Sequence, residues 1–161
     1  MSAGKMIMVT GSGAQQEFTQ DQPNLQFDFE KAHVLKGQWI CYQQENYNDA
    51  SSGEILVVDE TDGLQSLGFI PRSIRVVKTF TTGVTLYKHI NYGGSQQDVT
   101  SSKPSIDLQV SSALMSVGTW HLFQQKDYQG PYVSKGPGRY PRAADLGIPN
   151  DSLQSMERQD S

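Results

Sequence analysis

Apolar positions in this chain come in short bursts. Met6-Ile7-Met8-Val9, Trp39-Ile40-Cys41-Tyr42, Glu54-Ile55-Leu56-Val57-Val58, Ser73-Ile74-Arg75-Val76-Val77, Val84-Thr85-Leu86-Tyr87, Leu108-Gln109-Val110 and Trp120-His121-Leu122-Phe123 are all brief. All are rich in β-branched or aromatic residues, and Gly, Asn, Asp or Pro lie between them. Such runs are strand-length, and the punctuation between them supplies turns. The one helical signal is a single turn near Pro141-Arg142-Ala143-Ala144-Asp145. Many short strands separated by turns predict an all-β sandwich.

The chain also repeats itself. At an offset of 81 residues (120 − 39), Trp39 falls on Trp120 and Gly37 on Gly118. Gly13-Ala14-Gln15-Gln16-Glu17 falls on Gly94-Ser95-Gln96-Gln97-Asp98, and Tyr42-Gln43-Gln44 on Phe123-Gln124-Gln125. The offset runs without a gap from Lys5 to Tyr128. Two copies of one unit follow, over residues 1–80 and 83–161, each large enough to fold as a domain. Their seam, Lys78-Thr79-Phe80-Thr81-Thr82-Gly83, is short. It predicts a monomer whose halves touch, with Val57, Ile74, Val76, Leu153 and Met156 as candidate apolar contacts.

Each copy divides again. Tyr87 to Gly94 reads aromatic, four residues, aromatic, one residue, Gly, and Phe123 to Gly130 reads the same. A folded-over hairpin explains the form: one aromatic lies in a strand, the second covers the turn, and Gly takes the positive φ.

Composition narrows the function. The net charge is −4 and no basic run exists, which speaks against nucleic acid. No stretch approaches a membrane span, and Met1-Ser2-Ala3-Gly4-Lys5 is no leader. The single cysteine, Cys41, cannot form an internal disulfide and suits a reducing, cytoplasmic setting. Val9-Thr10-Gly11-Ser12-Gly13 imitates a dinucleotide-binding turn, but Gln16 stands where a third Gly is needed. His33, His89 and His121 lack metal-ligand spacing and have no nucleophile beside them, so no enzyme is expected. Asn150-Asp151-Ser152 spells a glycosylation sequon that needs a secretory route to be used.

With these motifs the chain resembles the βγ-crystallin family, built from four Greek-key motifs paired into two sandwich domains. The second copy matches well: Tyr87, Tyr92, Gly94 and Ser112 in the third motif, and Phe123, Tyr128, Gly130 and Ser155 in the fourth. The segment from Gly136 to Gly147 is similar to the family's tyrosine corner, and Gly37-Gln38-Trp39 and Gly118-Thr119-Trp120 to its Gly-x-Trp strand start. The first copy departs. At offset 81, Met6 and Gly11 stand at the hairpin aromatics, Asp49 replaces a Gly and Lys31 takes one Ser place, while in the second motif Val76 is read at the other. One regular and one degenerate domain resembles an invertebrate member.

The resemblance implies calcium. The family signature is Asn/Asp, Asn/Asp, two variable residues, Ser/Thr, Ser. Its third residue supplies a carbonyl, its fifth a side-chain oxygen, and a neighbouring hairpin another carbonyl. These are the hard oxygens that Ca²⁺ requires. The third motif has Asp107-Leu108-Gln109-Val110-Ser111-Ser112 and the fourth Asn150-Asp151-Ser152-Leu153-Gln154-Ser155. The first has Gln26-Phe27-Asp28-Phe29-Glu30-Lys31 and the second Pro71-Arg72-Ser73-Ile74-Arg75-Val76. The implied donors are therefore Asp107, Gln109 and Ser111, then Ser152 and Gln154, then Glu30, with hairpin carbonyls from Lys126 and Ile90. Arg75 would put a cation at the ligand place of the second motif. Few carboxylates imply weak binding, about 10⁻⁶–10⁻⁴ M. The same Asp, Asn and Ser residues also satisfy turn backbone without any metal.

The reading is thus a non-enzymatic, two-domain βγ-crystallin-type protein. It binds Ca²⁺ weakly, mainly through its second domain, with a structural or buffering role. The rival reading is a metal-independent carbohydrate- or protein-binding sandwich.

Overall fold

A computed structural model describes residues 4–60 and 63–159 of the chain. The first three residues of the stretch read for a leader lie outside them. Two compact units result, Met1–Lys78 and Thr79–Ser161.

The first unit contains β1 (Lys5–Thr10), β2 (Gln15–Phe18), β3 (Phe29–Lys36), β4 (Trp39–Tyr42), β5 (Ile55–Val58), β6 (Gln65–Ser66) and β7 (Ser73–Val76). The second contains β8 (Val84–Tyr87), β9 (Gln96–Val99), β10 (Ser112–Met115), β11 (Trp120–Phe123), β12 (Tyr132–Lys135), β13 (Gly138–Tyr140) and β14 (Ser155–Arg158). A single helical turn, α1 (Ala143–Leu146), forms where the sequence signals one. The sheets run β2-β1-β3-β6 and β5-β4-β7 in the first unit, β13-β10-β8-β9 and β12-β11-β14 in the second. All pairs are antiparallel.

Each unit is a Greek-key sandwich whose two motifs exchange a strand. β6 belongs to the second motif but pairs with β3 of the first, and β13 of the fourth pairs with β10 of the third. The return exchange is reduced to single bridges, Gln22 with Ile74 and Lys103 with Met156. Two four-stranded Greek keys would give eight strands per unit. Seven form among the described residues, because the eighth strand keeps only that bridge. The run Leu108-Gln109-Val110 is loop, and the strand follows it at Ser112–Met115.

Burial explains the alternation. Met6, Met8, Phe29, Ala32, Val34 and Trp39 sit in the first core. Val84, Leu86, Trp120, Leu122, Leu146 and Met156 sit in the second. The indole N–H groups of Trp39 and Trp120 donate to the carbonyls of Lys36 and Val117, at 3.3 and 3.0 Å, so each large ring is buried with its polar atom satisfied. Ile74 and Val76 lie in the core of the first unit, and Leu153 and Met156 in that of the second.

Three hairpins have the folded-over form. Tyr87 and Tyr92, Phe123 and Tyr128, and Tyr42 and Tyr47 meet edge to face at 5.6, 5.9 and 5.6 Å. The turn drives the second aromatic to positive φ, 61° at Tyr92, 60° at Tyr128 and 59° at Tyr47. That conformation costs a non-Gly residue about 1–2 kcal/mol. A serine hydroxyl holds it. Ser112 Oγ accepts from Tyr92 N at 2.9 Å and donates to His89 O at 2.6 Å. Ser155 does the same with Tyr128 N and Gln125 O, and Ser73 with Tyr47 N and Gln44 O.

This geometry corrects the register of the first copy. The turn-closing bond joins residues seven apart in the third and fourth motifs, Lys88 to Ser95 and Gln124 to Pro131. In the first motif it joins Thr10 to Ala14, three residues fewer, and in the second Gln43 to Glu54, four more. The gap-free offset therefore does not hold for the strands. Val9, not Met6, takes the place of Tyr87, since Val9 pairs with Gln15 and Lys31 as Tyr87 pairs with Gln96 and Ser112. The three residues lost are those that would carry the second aromatic, so Gly11 has no such role. Lys31 does stand at a Ser place. Val76 does not, because Ser73 pairs with Tyr42 as Ser155 pairs with Phe123. The longer second turn manages without the Gly: Asn48 takes φ 58° and its side-chain carbonyl accepts from Gln44 N at 2.8 Å.

Ser112→Ala would remove the bonds from the Tyr92 amide and to the His89 carbonyl that hold the turn. It is expected to destabilise the second unit by about 1–3 kcal/mol, read as a lower denaturant midpoint at unchanged slope. Cys41 is fully buried and burial pushes its thiol up to about 12. The native protein at pH 8 should therefore resist a thiol reagent that the denatured chain consumes at once. Rapid labelling of the native protein would contradict this burial.

Candidate functional site

The loops that lead into β10 and β14 converge. Ser111 N donates to Tyr87 O at 2.9 Å, which fixes Ser111 at the end of its strand beside the hairpin of its own motif. Its neighbour Ser112 grips that hairpin through His89 and Tyr92, so Ile90, exposed at the turn, lies at the same end. From the other motif comes Asp151, whose N–H donates to Val110 O at 3.3 Å. The Ser111 hydroxyl then faces Asp151 Oδ1 at 3.5 Å. Ser111 is nearly buried and Asp151 is exposed, so the pair opens to solvent from one side.

Among the implied donors, the structure thus brings Ser111 to the hairpin of Ile90 and to the fourth-motif loop that also carries Ser152. Ser152 uses its own hydroxyl within the turn, donating to Pro149 O at 2.5 Å, which leaves its carbonyl as the available oxygen. Asp151 was recognised as part of the signature but not as a donor. Its position one residue before Ser152 was the signal for it.

Gln154 holds the matching place in the fourth motif. Its N–H donates to Phe123 O at 2.9 Å, and its carbonyl accepts from Ile106 N at 2.8 Å. Ser155 beside it reaches Gln125 O, which sets the Lys126 turn at this end. Lys126 therefore neighbours Gln154, as Ile90 neighbours Ser111. Asp107 and Gln109 lie exposed on the loop before Ser111, and Asp107 Oδ1 accepts from Ser105 Oγ at 3.4 Å.

The first unit has lost both arrangements. Glu30 takes the place of Ser111, and its carboxylate lies where a side chain on Gly11 would collide with it. The shortened hairpin there has no residue corresponding to Ile90. Counting back from Ser73 as Asp151 stands from Ser155, the partner position is Phe69, whose side chain has no oxygen.

In the second motif the corrected register moves the arginine. Arg75 is not at the ligand place: it is buried in the sheet, donating to the Tyr42 hydroxyl at 2.9 Å with its guanidinium 4.3 Å from the Tyr47 ring centre. The Tyr42 hydroxyl is pushed up chiefly by burial, which Arg75 partly offsets. Arg72 holds the place of Gln154. Leu25 N donates to Arg72 O at 2.8 Å, as Ile106 N does to Gln154 O. Its guanidinium Nη2 reaches Asp28 Oδ1 at 2.8 Å, and Nη1 reaches Leu25 O at 3.5 Å. A permanent cation thus sits where the other unit has the uncharged amide of Gln154.

Among the described residues no group of three or more His, Cys, Asp or Glu side chains is placed to hold a metal. Any ion at Ser111 would rely on one carboxylate, one hydroxyl and backbone carbonyls.

Comparison with known proteins agrees with the architecture. The Beta/Gamma crystallin family profile matches residues 83–158, the regular copy. Gamma-crystallin B of Bos taurus is 28% identical over 88% of this chain and 87% of its own length. A beta/gamma-crystallin of Ciona intestinalis is 27% identical over 47% of this chain and 96% of its own. The solved structure of geodin, a beta-gamma crystallin from Geodia cydonium, shares 50% identity, covers 98% of this chain and 100% of its own, and superposes with a TM-score of 0.96. Whole-chain similarity at that level, together with the serine-locked hairpins and exchanged strands, establishes that this chain belongs to the βγ-crystallin family.

Proposed function

We propose that this βγ-crystallin-type protein binds Ca²⁺ weakly through its second unit and acts as a stable structural or calcium-buffering protein. The observation that carries the reading is the approach of the Ser111 hydroxyl to the Asp151 carboxylate, 3.5 Å apart and contributed by two motifs. A hydroxyl and a carboxylate converging from separate loops suit an oxygen-seeking cation. The donor set fits calcium: Ser111 Oγ and Asp151 Oδ1, with the carbonyls of Ile90 and Ser152 as further oxygens and water for the remaining positions. A bound ion would supply charge neutralisation and cross-link the two loops. One carboxylate keeps the affinity low. Gln154 with the Lys126 and Gln109 carbonyls forms the weaker second candidate, since an amide oxygen brings no charge. Glu30 ranks last, for want of a hairpin carbonyl beside it. In the first unit, the Arg72 cation supports the reading that binding belongs to the second.

A calorimetric titration of the whole chain tests this. The wild type should take up Ca²⁺ and gain thermal stability by mass action, about 2.7 kcal/mol at a hundredfold excess over Kd. Ser111→Arg puts a cation at the ligand place and should abolish the stronger site. Asp151→Ala, at an exposed position, should weaken it at least roughly tenfold without disturbing the fold. Absence of binding at millimolar calcium, or equal binding by Asp151→Ala, would refute the assignment.

A further inference from the structure

The loop that in the second unit leads to Ser111 has a different character in the first. Beside it opens a recess of about 110 Å³, bounded by β2, residues 22–27 and Phe29. Its polar lining consists of the side chains of Gln16, Gln22, Asn24 and Gln26, all amides, and it contains no charged residue. Among the described residues none of these four amides has a side-chain partner, so each keeps a donor and an acceptor available. The apolar lining is Phe18, Leu25, Phe27 and Phe29, of which Phe27 is 59% exposed. Its ring packs against buried Phe29, with centres 6.2 Å apart and planes at 68°, and Phe29 packs on Phe18 at 5.7 Å and 90°.

The recess is fixed in advance. Gln22 exchanges both backbone bonds with Ile74, Leu25 N donates to Arg72 O, and Phe29 N donates to Phe27 O. Two carboxylates adjoin the lining residues: Asp28 pairs with Arg72 at 2.8 Å, and Asp21 accepts from Val76 N at 2.9 Å. The other copy provides an internal comparison. At the 81-residue offset, Gln22, Asn24, Gln26 and Phe27 correspond to Lys103, Ser105, Asp107 and Leu108. The second unit thus carries charges and an aliphatic residue where the first carries amides and an aromatic.

We propose that this recess in the first unit binds one ring of a neutral saccharide. The phenyl face of Phe27 offers a platform for the apolar face of a pyranose, and rigid aromatic surfaces give contact area at low entropic cost. The amides supply paired donors and acceptors for hydroxyl groups, which present the same pairing. An uncharged lining favours a neutral ligand over an anion or a cation. The volume lies well below that of a drug-sized pocket, which limits recognition to a single ring. Ordinary ligand efficiency over about a dozen heavy atoms corresponds to a Kd of about 1 mM. This site needs no metal and is independent of the calcium sites proposed at Ser111 and Gln154, which belong to the other unit.

The test is an NMR titration of the isotope-labelled full chain in EDTA. The probes are the methyl glycosides of glucose, galactose, mannose and N-acetylglucosamine, with an acetylated, amidated alanine tripeptide as a further probe. At least one glycoside should shift the amide signals of Gln16, Gln26 and Phe27 with a millimolar Kd. Phe27→Ala, at a solvated position, should weaken that response roughly tenfold. Leu35→Ala, at an exposed residue not lining the recess, should leave it unchanged. The proposal is overturned if none of the four glycosides shifts these signals, if the shifts survive Phe27→Ala, or if the tripeptide shifts them equally.

Discussion

A single hydroxyl group between two backbone groups three residues apart underlies the regular motifs. Tyr47, Tyr92 and Tyr128 lie at positive φ, and their neighbours Asn46, Asn91 and Asp127 do too. Two successive left-handed residues are costly and would not persist in an isolated hairpin. Ser73, Ser112 and Ser155 reach in from a neighbouring strand and satisfy one N–H and one C=O of each turn. The aromatic pair then closes over the strand. Local strain is thereby tied to long-range strand pairing, so the turn forms only when the sheet does. The same bonds fix the residue before each serine at the mouth of the turn, and that residue is Arg72, Ser111 or Gln154.

From this follows the divergence of the copies. A turn three residues shorter leaves the first motif without a folded-over aromatic and leaves Lys31 at the serine's place. Packing is taken over by the Phe18–Phe29 edge contact inside the first core. Arg72 supplies a fixed positive charge where the second unit has an uncharged amide, and its pairing with Asp28 holds the loop that carries Phe27. One unit keeps oxygens converging between two motifs. Its counterpart has exchanged them for an ion pair, an exposed ring and four amides. The proposed functions of the two units are read from that exchange.

Much of the architecture was legible in the sequence, and the limits have physical causes. Trp39–Tyr42, Val84–Tyr87 and Trp120–Phe123 are dense in buried side chains and could be bounded to the residue. Phe29–Lys36, the longest strand, went unread because Glu30, Lys31 and Lys36 break up its apolar positions while facing solvent. Strands such as Gln15–Phe18 and Tyr132–Lys135 are held by backbone pairing with little burial, so no apolar pattern marks them. Ser73 was misassigned because no constant offset survives between the copies: the turn before it is four residues longer, and the segment from Glu54 to Ser73 is five residues shorter than that from Pro131 to Ser155. Its clue was position: it opens its strand, as Ser112 and Ser155 open theirs. The meeting of Ser111 with Asp151 depends on strand exchange between motifs, which spacing along the chain does not encode.

Native-state hydrogen exchange at the turn amides tests the central claim most directly. If the serine hydroxyls hold the turns to the sheets, the amides of Tyr47, Tyr92 and Tyr128 should exchange as slowly as core strand amides, through global opening of their unit. Gly11 and Ser12, in the shortened first turn without such a lock, should exchange rapidly. Exchange of Tyr92 and Tyr128 at the rate of Gly11 and Ser12 would mean that the turns open independently of the sheets, and would contradict the account.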